Sequence, residues 1–287
     1  MTIILGFLSA AQAVACMALS NSPVKIQREE TAIVWDDQKK IEHFIRKVDF
    51  KTSAKDLGFL VPVPAKPEIA EADGKAFERL QKEFGGPEPL SAAAPQTRSA
   101  GAGANAGTVT VLEEKRVAGL DVAVLEASNA KALADWLSKN GYPSRPAAEK
   151  WLESYVKAQF KIVAFKYAGG GPGSDVIASK AVRLSFAAPY PFYPYKEPSD
   201  AESPLGRQLR VYLFAPRVAH AYTYNGTSRV EWTAATTFSG EVSNPTLALA
   251  GILPPAQIPS GALTVTSFLD GSLKRPDNAE LFFERAP

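Results

Sequence analysis

LDVAVLEASNAKALADWLSKNGYPSRPAAEKWLESYVKAQFKIVAFKY, residues 120–167, decides how the rest of the chain is read. Leu120 to Ala127 is an apolar, β-branched run of strand character. Ser128 or Asn129 then offers a side-chain oxygen to the free amides of a helix start, Leu133, Trp136 and Leu137 share one helical face, and Asn140-Gly141 supplies the stop. Ser144 and Pro146 open a second helix with Leu152, Tyr155 and Val156 on one face, and Phe160 to Tyr167 follows as a buried strand. The unit is strand-helix-helix-strand.

Upstream, Thr108 to Gly119 reads as a strand that turns at Gly119 into the first strand of this unit. Thr31 to Trp35 and Lys40 to Phe50 flank the polar turn Asp36-Asp37-Gln38 and predict a hairpin; Ile41, Phe44, Ile45 and Val48 also fit helical spacing, but β-branched and aromatic content favours a strand. Gly58 to Pro67 is apolar but interrupted by Pro62, Pro64 and Pro67, which predicts an edge strand or extended segment. Asp73 caps a short helix with the stripe Phe77, Leu80 and Phe84, ended by Gly85. Downstream, strands are expected at Val182 to Phe186, Leu209 to Ala215, Val218 to Tyr224, Val230 to Thr233, Leu263 to Leu269 and Leu281 to Phe283, with a short helix opened by Asn244-Pro245. Strands clustered around one helical pair predict an α+β fold with a mostly antiparallel sheet.

Residues 1–15 have the form of a signal peptide: an apolar run from Ile3 to Leu8, too short to span a bilayer, then small residues at cleavage spacing in Ala11-Gln12-Ala13 and Ala13-Val14-Ala15. No positively charged segment precedes the run. Cys16 follows directly, so it is a lipidation candidate as well as a lone thiol. No later segment is apolar for long enough to form a transmembrane anchor. The stretch 85–107 is rich in Gly, Ala, Pro and Ser with almost no large apolar residue, and reads as a disordered linker between an N-terminal β segment with one short helix, 17–84, and an α+β segment, 108–287. The expected product is exported, periplasmic or secreted, with lipid anchoring as the alternative.

Charge and residue counts exclude several function classes. Thirty-two Lys+Arg against 30 Asp+Glu leave a net charge of +2, too little to build a phosphate-neutralising surface, so nucleic acid is not an expected partner. One cysteine forbids an intrachain disulfide, and His43 and His220, the only two histidines, cannot assemble a multi-His or Cys/His metal site. Neither metal nor cofactor is expected. Gly169-Gly170-Gly171-Pro172-Gly173 lacks the Gly-Lys-Ser/Thr ending of a phosphate loop, and neither a Gly-x-Ser-x-Gly elbow nor a His-Glu-x-x-His motif occurs. No catalytic constellation is therefore assigned. His43, near Glu42 and Arg46, and His220 each read as a hydrogen-bonded polar residue or, if the fold provides carboxylates, as a general base or metal ligand.

The most unusual local composition is APYPFYPYKEP, where Tyr190, Phe192, Tyr193 and Tyr195 alternate with prolines that hold the backbone extended. Tyr190, Tyr193 and Tyr195 are the ligand-binding candidates, as a sugar-stacking or peptide-binding surface; alternatively the rings cover the sheet. Alternation along an extended backbone predicts Phe192 buried and Tyr193 exposed.

EHFIRKVDF at Glu42 to Phe50, DLGFLVPVPAKPEIAEAD at Asp56 to Asp73, LDVAVLEASNAKALADWLSKNGY at Leu120 to Tyr142 and PFYPYKEP at Pro191 to Pro198 together resemble the bacterial "domain of unknown function 2330" family, from about Cys16 to Phe283 without the linker. The resemblance implies export and brings no activity or catalytic residue. Members with a further downstream cysteine differ from this chain, which lacks it. The resulting expectation is a non-enzymatic exported protein that binds an envelope component or a protein partner. The alternative is an exported hydrolase or metal-dependent enzyme using His43 or His220.

Overall fold

A computed structural model of the chain describes residues 18–19, 24–52, 57–86, 107–143, 146–167, 176–178, 181–199, 208–272 and 274–285. The leader, Cys16, the glycine run at 169–173 and all of the linker except its two ends lie outside the described residues.

Two large sheets form the centre of an α+β fold. The first runs β1 (Ala18–Leu19), β4 (Gly58–Val63), β8 (Lys161–Tyr167), β7 (Leu120–Ala127), β6 (Val109–Val117). The second runs β15 (Ala235–Glu241), β16 (Thr264–Asp270), β12 (Gln208–Ala215), β2 (Val24–Asp36), β3 (Ile41–Thr52), β10 (Ala181–Ala187), β5 (Glu68–Ala72), with β9 (Val176–Ala178) also on β3. A third sheet, β11 (Phe192–Tyr193), β17 (Glu280–Arg285), β13 (Ala219–Tyr224), β14 (Arg229–Glu231), joins the same core. Neighbouring strands are antiparallel except β2 and β12, which run parallel.

Period-two alternation sorts side chains to the two faces of each sheet. Ile33 and Trp35 of β2, with Phe44 and Val48 of β3, meet Phe59, Val61, Val122, Val124, Val163 and Phe165 of the first sheet in the central core. The opposite residues Ala32, Val34, Ile45, Tyr212 and Phe214 pack on α1 (Ala76–Phe84) and on Leu249 and Ile252 after α4 (Pro245–Ala248). On the far side of the first sheet, Leu60, Leu125 and Ile162 cover Leu133 and Leu137 of α2 (Ala130–Lys139) and Trp151, Leu152 and Tyr155 of α3 (Pro146–Lys157). The layers are helix, sheet, sheet, helix. Residues 17–84 supply inner strands to both large sheets, β4 to the first and β2 and β3 to the second.

Local chemistry sets the element ends. Asn129 accepts the amide of Ala132 at 2.8 Å as the cap of α2, and Gly141, φ +78°, takes the left-handed conformation after it. Asn244 caps α4 in the same way. The turn between β6 and β7 has positive φ at both Ala118 and Gly119, the mirror-image turn that matches strand twist. Asp73 is not the cap of α1 itself; its carboxylate receives the amide of Lys75 at 2.9 Å one turn earlier. Gly85 is right-handed, and the left-handed stop is Gly86, φ +65°. Gly85 is also tied down, because its carbonyl accepts from buried Arg210. β4 is an inner strand rather than the expected edge, but β1 pairs only with Gly58 and Phe59, so Pro62, which has no N–H to donate, costs no ladder bond to β1. Strands β5, β11 and β15 carried no sufficient sequence signal.

Between the two large sheets lies a cluster of charges. Glu29 of β2, wholly buried, accepts from Arg46 Nε at 3.0 Å and from the hydroxyl of Tyr193, and lies 3.4 Å from Arg275 Nη1. Arg275 also lies 3.5 Å from Asp270 and 3.7 Å from Glu197, all buried. Burial by itself pulls the Arg275 pKa down, but Glu29 and the neighbouring Tyr193 and Glu197 more than reverse this, and the guanidinium stays charged. Removing one partner leaves the others buried and uncompensated. Arg275→Met is expected to destabilise the fold by about 3 to 5 kcal/mol, measured by urea denaturation at neutral pH; a change under about 1 kcal/mol would show that the cluster is not a structural requirement.

Candidate functional site

The proline-aromatic segment does not lie on the surface as a whole. Tyr190 is exposed at 53%, whereas Tyr193 and Tyr195 are at 0% and 3%. Phe192 is buried as expected, but the expectation that Tyr193 is exposed is corrected here, because both faces of β11 are covered. Phe192 meets Phe160 and Phe186 on one side, and Tyr193 turns into the core against Phe44, 5.8 Å between centroids. Tyr195 packs edge-on to Trp232 and donates its hydroxyl to Asp270 at 2.8 Å. Burial, then the charge of Asp270, pushes its phenol pKa well up, so it stays protonated and donates. The segment's backbone is held by carboxyl groups: Glu42 receives the amide of Phe192 and Glu280 that of Tyr195, each at 2.8 Å. Desolvation raises the Glu42 pKa well above the ordinary carboxyl range.

Tyr190 instead belongs to a second group of rings that sequence reasoning missed. On the outer face of the third sheet it meets Phe282 edge-on, 5.3 Å and 84°, and Tyr224 approaches the same ring at 6.3 Å and 65°. Tyr224 is exposed and Phe282 half-buried. Beside them His220 stacks on Tyr222, and Arg229 lies 3.7 Å over Tyr222 while pairing with Glu284 at 2.7 Å. The signal was present in AHAYTY, since Ala219 and Ala221 point into the core and period two sends His220, Tyr222 and Tyr224 outward.

His43 lies on the second sheet against Ser185 and His220 on the third against Tyr222, and no contact between the two histidines is found among the described residues. A cleft of about 380 Å³ opens beside His43, lined also by Asp36, Lys39, Lys66, Glu68, Ser185 and Gln257. His43 and Ser185 are directly paired residues of β3 and β10, and Nδ1 lies 2.8 Å from the serine Oγ. Burial, then the charge of Arg183, pushes the imidazole pKa down to about 4, so the ring is neutral at neutral pH. Burial would raise the Asp36 pKa, but the amides of Lys39 and Gln38 and the Lys39 ammonium lower it overall, and it remains a carboxylate. Arg183 lies 3.5 Å from Glu68. Glu42, next to His43 in sequence, faces the other side of β3 and takes no part in the cleft. Among the described residues no group of three or more His, Cys, Asp or Glu is placed to hold a metal, and no helix is long and apolar enough to cross a membrane.

The profile of the bacterial family described as "Uncharacterized protein conserved in bacteria (DUF2330)" matches residues 9–252, and the chain belongs to that family. No curated protein matches it. One solved structure, titled crystal structure of baculovirus P35, is similar with a TM-score of 0.39 at 8% identity, over 92% of this chain and 98% of that one.

The ring burials separate the alanine variants of the segment. Tyr193→Ala is expected to lower stability by about 3 to 5 kcal/mol and Tyr190→Ala by no more than about 0.5 kcal/mol, read from urea midpoints. Equal losses would contradict this division. For His43 the folded pKa lies below the unfolded value of about 6.5, so the fold prefers the neutral ring; its contribution is full above pH 6.5 and is lost as pH falls toward 4. With Arg183, Asp36, Lys39, Lys66 and Glu68 unchanged, the protein should lose about 2 kcal/mol more than His43→Gln between pH 7 and 4.5. Parallel stability curves for the two proteins would refute it.

Proposed function

We propose that this member of an uncharacterised bacterial family is an exported, non-enzymatic binding protein that engages a polypeptide partner at the cell envelope through the outer face of its third sheet. The carrying observation is the solvent-facing group Tyr190, Tyr224 and Phe282, backed by the buried Phe192 and core. Its rings meet edge to face, so they present ridges rather than the flat platform that suits a sugar ring. Tyrosine beside arginine is also the composition that dominates protein interfaces, and Arg229 stands next to the group. Export rests on the leader-like residues 1–15.

The reading of an exported hydrolase or metal-dependent enzyme has less support. His220 stacks on a tyrosine at the surface, and His43 bonds a serine without a carboxylate to orient its ring among the described residues.

A photo-crosslinking residue placed at Tyr224, in cells with the protein at its native level, is expected to give a discrete protein adduct that one at exposed Glu153 of α3 does not. Tyr190→Ala should reduce that adduct at least tenfold. Absence of the adduct, equal adducts at both positions, or retention on purified envelope glycan that Tyr190→Ala abolishes would overturn the polypeptide reading.

A further inference from the structure

The geometry points to a second site, independent of the aromatic face: the His43 cleft binds a neutral, multiply hydroxylated small molecule of monosaccharide size. Its volume of about 380 Å³ lies within the range of small-molecule pockets, roughly 300 to 1,000 Å³. The polar lining is balanced in charge, with Lys39 and Lys66 against Asp36 and Glu68. An anion would face the two carboxylates and a cation the two ammonium groups, so neither has an unopposed partner. Hydroxyl groups both donate and accept, and so do the groups the cleft presents.

The Ser185 hydroxyl, the Gln257 amide and a neutral imidazole can each take either role. Nδ1 of His43 is committed to Ser185, and no hydrogen bond among the described residues reaches Nε2, which is left for a ligand. Ile41, Ala187 and Ala256 give the cleft an apolar wall for the C–H face of a sugar ring.

The same arrangement argues against acyl transfer. A serine nucleophile needs a base of matched strength, and an imidazole held near pKa 4 takes a proton poorly at neutral pH. Among the described residues no carboxylate hydrogen-bonds the imidazole to orient it either, so the pair lacks the third group of a nucleophile and its base.

Titration of the purified protein with glucose, N-acetylglucosamine, sodium acetate and inorganic phosphate, followed by the imidazole resonances of His43 and by calorimetry, tests the assignment. The expected result is saturable binding of at least one sugar that shifts the His43 resonances, weakened at least tenfold by Ser185→Ala and by Gln257→Ala. Lys157→Ala on α3 should leave it unchanged. Melting curves of the variants confirm that they are folded, and Gln257, on a half-exposed turn, serves where Ser185→Ala perturbs the sheet. Three results would overturn the assignment: no saturable sugar binding, tighter binding of acetate or phosphate than of either sugar, or Ser185-dependent hydrolysis of p-nitrophenyl acetate, which would make the cleft an acyl-transfer site.

Discussion

A carboxylate buried between two sheets organises this molecule. Glu29 sits at the centre of the longest strand pair, where no water solvates it, and the fold must bring it positive charge and donors. Arg46 comes from the adjacent strand at diagonal register, and its guanidinium also lies over the Phe59 ring of the opposing sheet at 5.3 Å. Arg275 comes from the loop before β17, and the Tyr193 hydroxyl from β11. Three segments remote in sequence are thereby required in one place. The third sheet, built from β11 and β17 among others, is attached to the two large ones by that requirement as well as by its apolar contacts.

Buried charge clusters add less stability than apolar packing of the same volume, but they tolerate few alternative arrangements. Here the consequence is register. A one-residue slip of β3 against β2 would turn Arg46 and Val48 toward the helical layer and leave Glu29 in the central core without its partner. The apolar rows alone, alternating valine, isoleucine and phenylalanine on both faces, discriminate such slips less sharply.

One strand connects the two candidate surfaces. On β3, His43 points to the cleft and Glu42, its neighbour, points the other way to hold the amide of Phe192. On β10, Ser185 lines the cleft and Phe186 packs on Phe192. From Phe192 the chain passes two residues back to exposed Tyr190 and one residue on to buried Tyr193. The cleft and the outer aromatic face are thus built on opposite sides of a shared strand pair, with Glu42 and Phe186 as the rigid connection between them.

The local elements were legible because their signals are local. The helical stripe of α2, the Asn129 and Asn244 caps, the hairpin at Asp36 to Lys40 and the strand-helix-helix-strand unit each depend on residues within a few positions of one another. Sequence alone therefore determined an α+β fold and the position of its helical pair. The fate of the proline-aromatic segment was not local. Whether Tyr193 faces water depends on whether something covers that side of β11, and what covers it is Phe44, Glu29 and Arg275, distant by more than eighty residues in either direction along the chain. The same holds for the pairing of His43 with Ser185, which exists only because β3 and β10 align, and for the joining of Tyr190 to Phe282. Alternation tells which residues share a face; only tertiary packing decides whether that face is solvent, core or cleft, because burial is a property of what lies opposite.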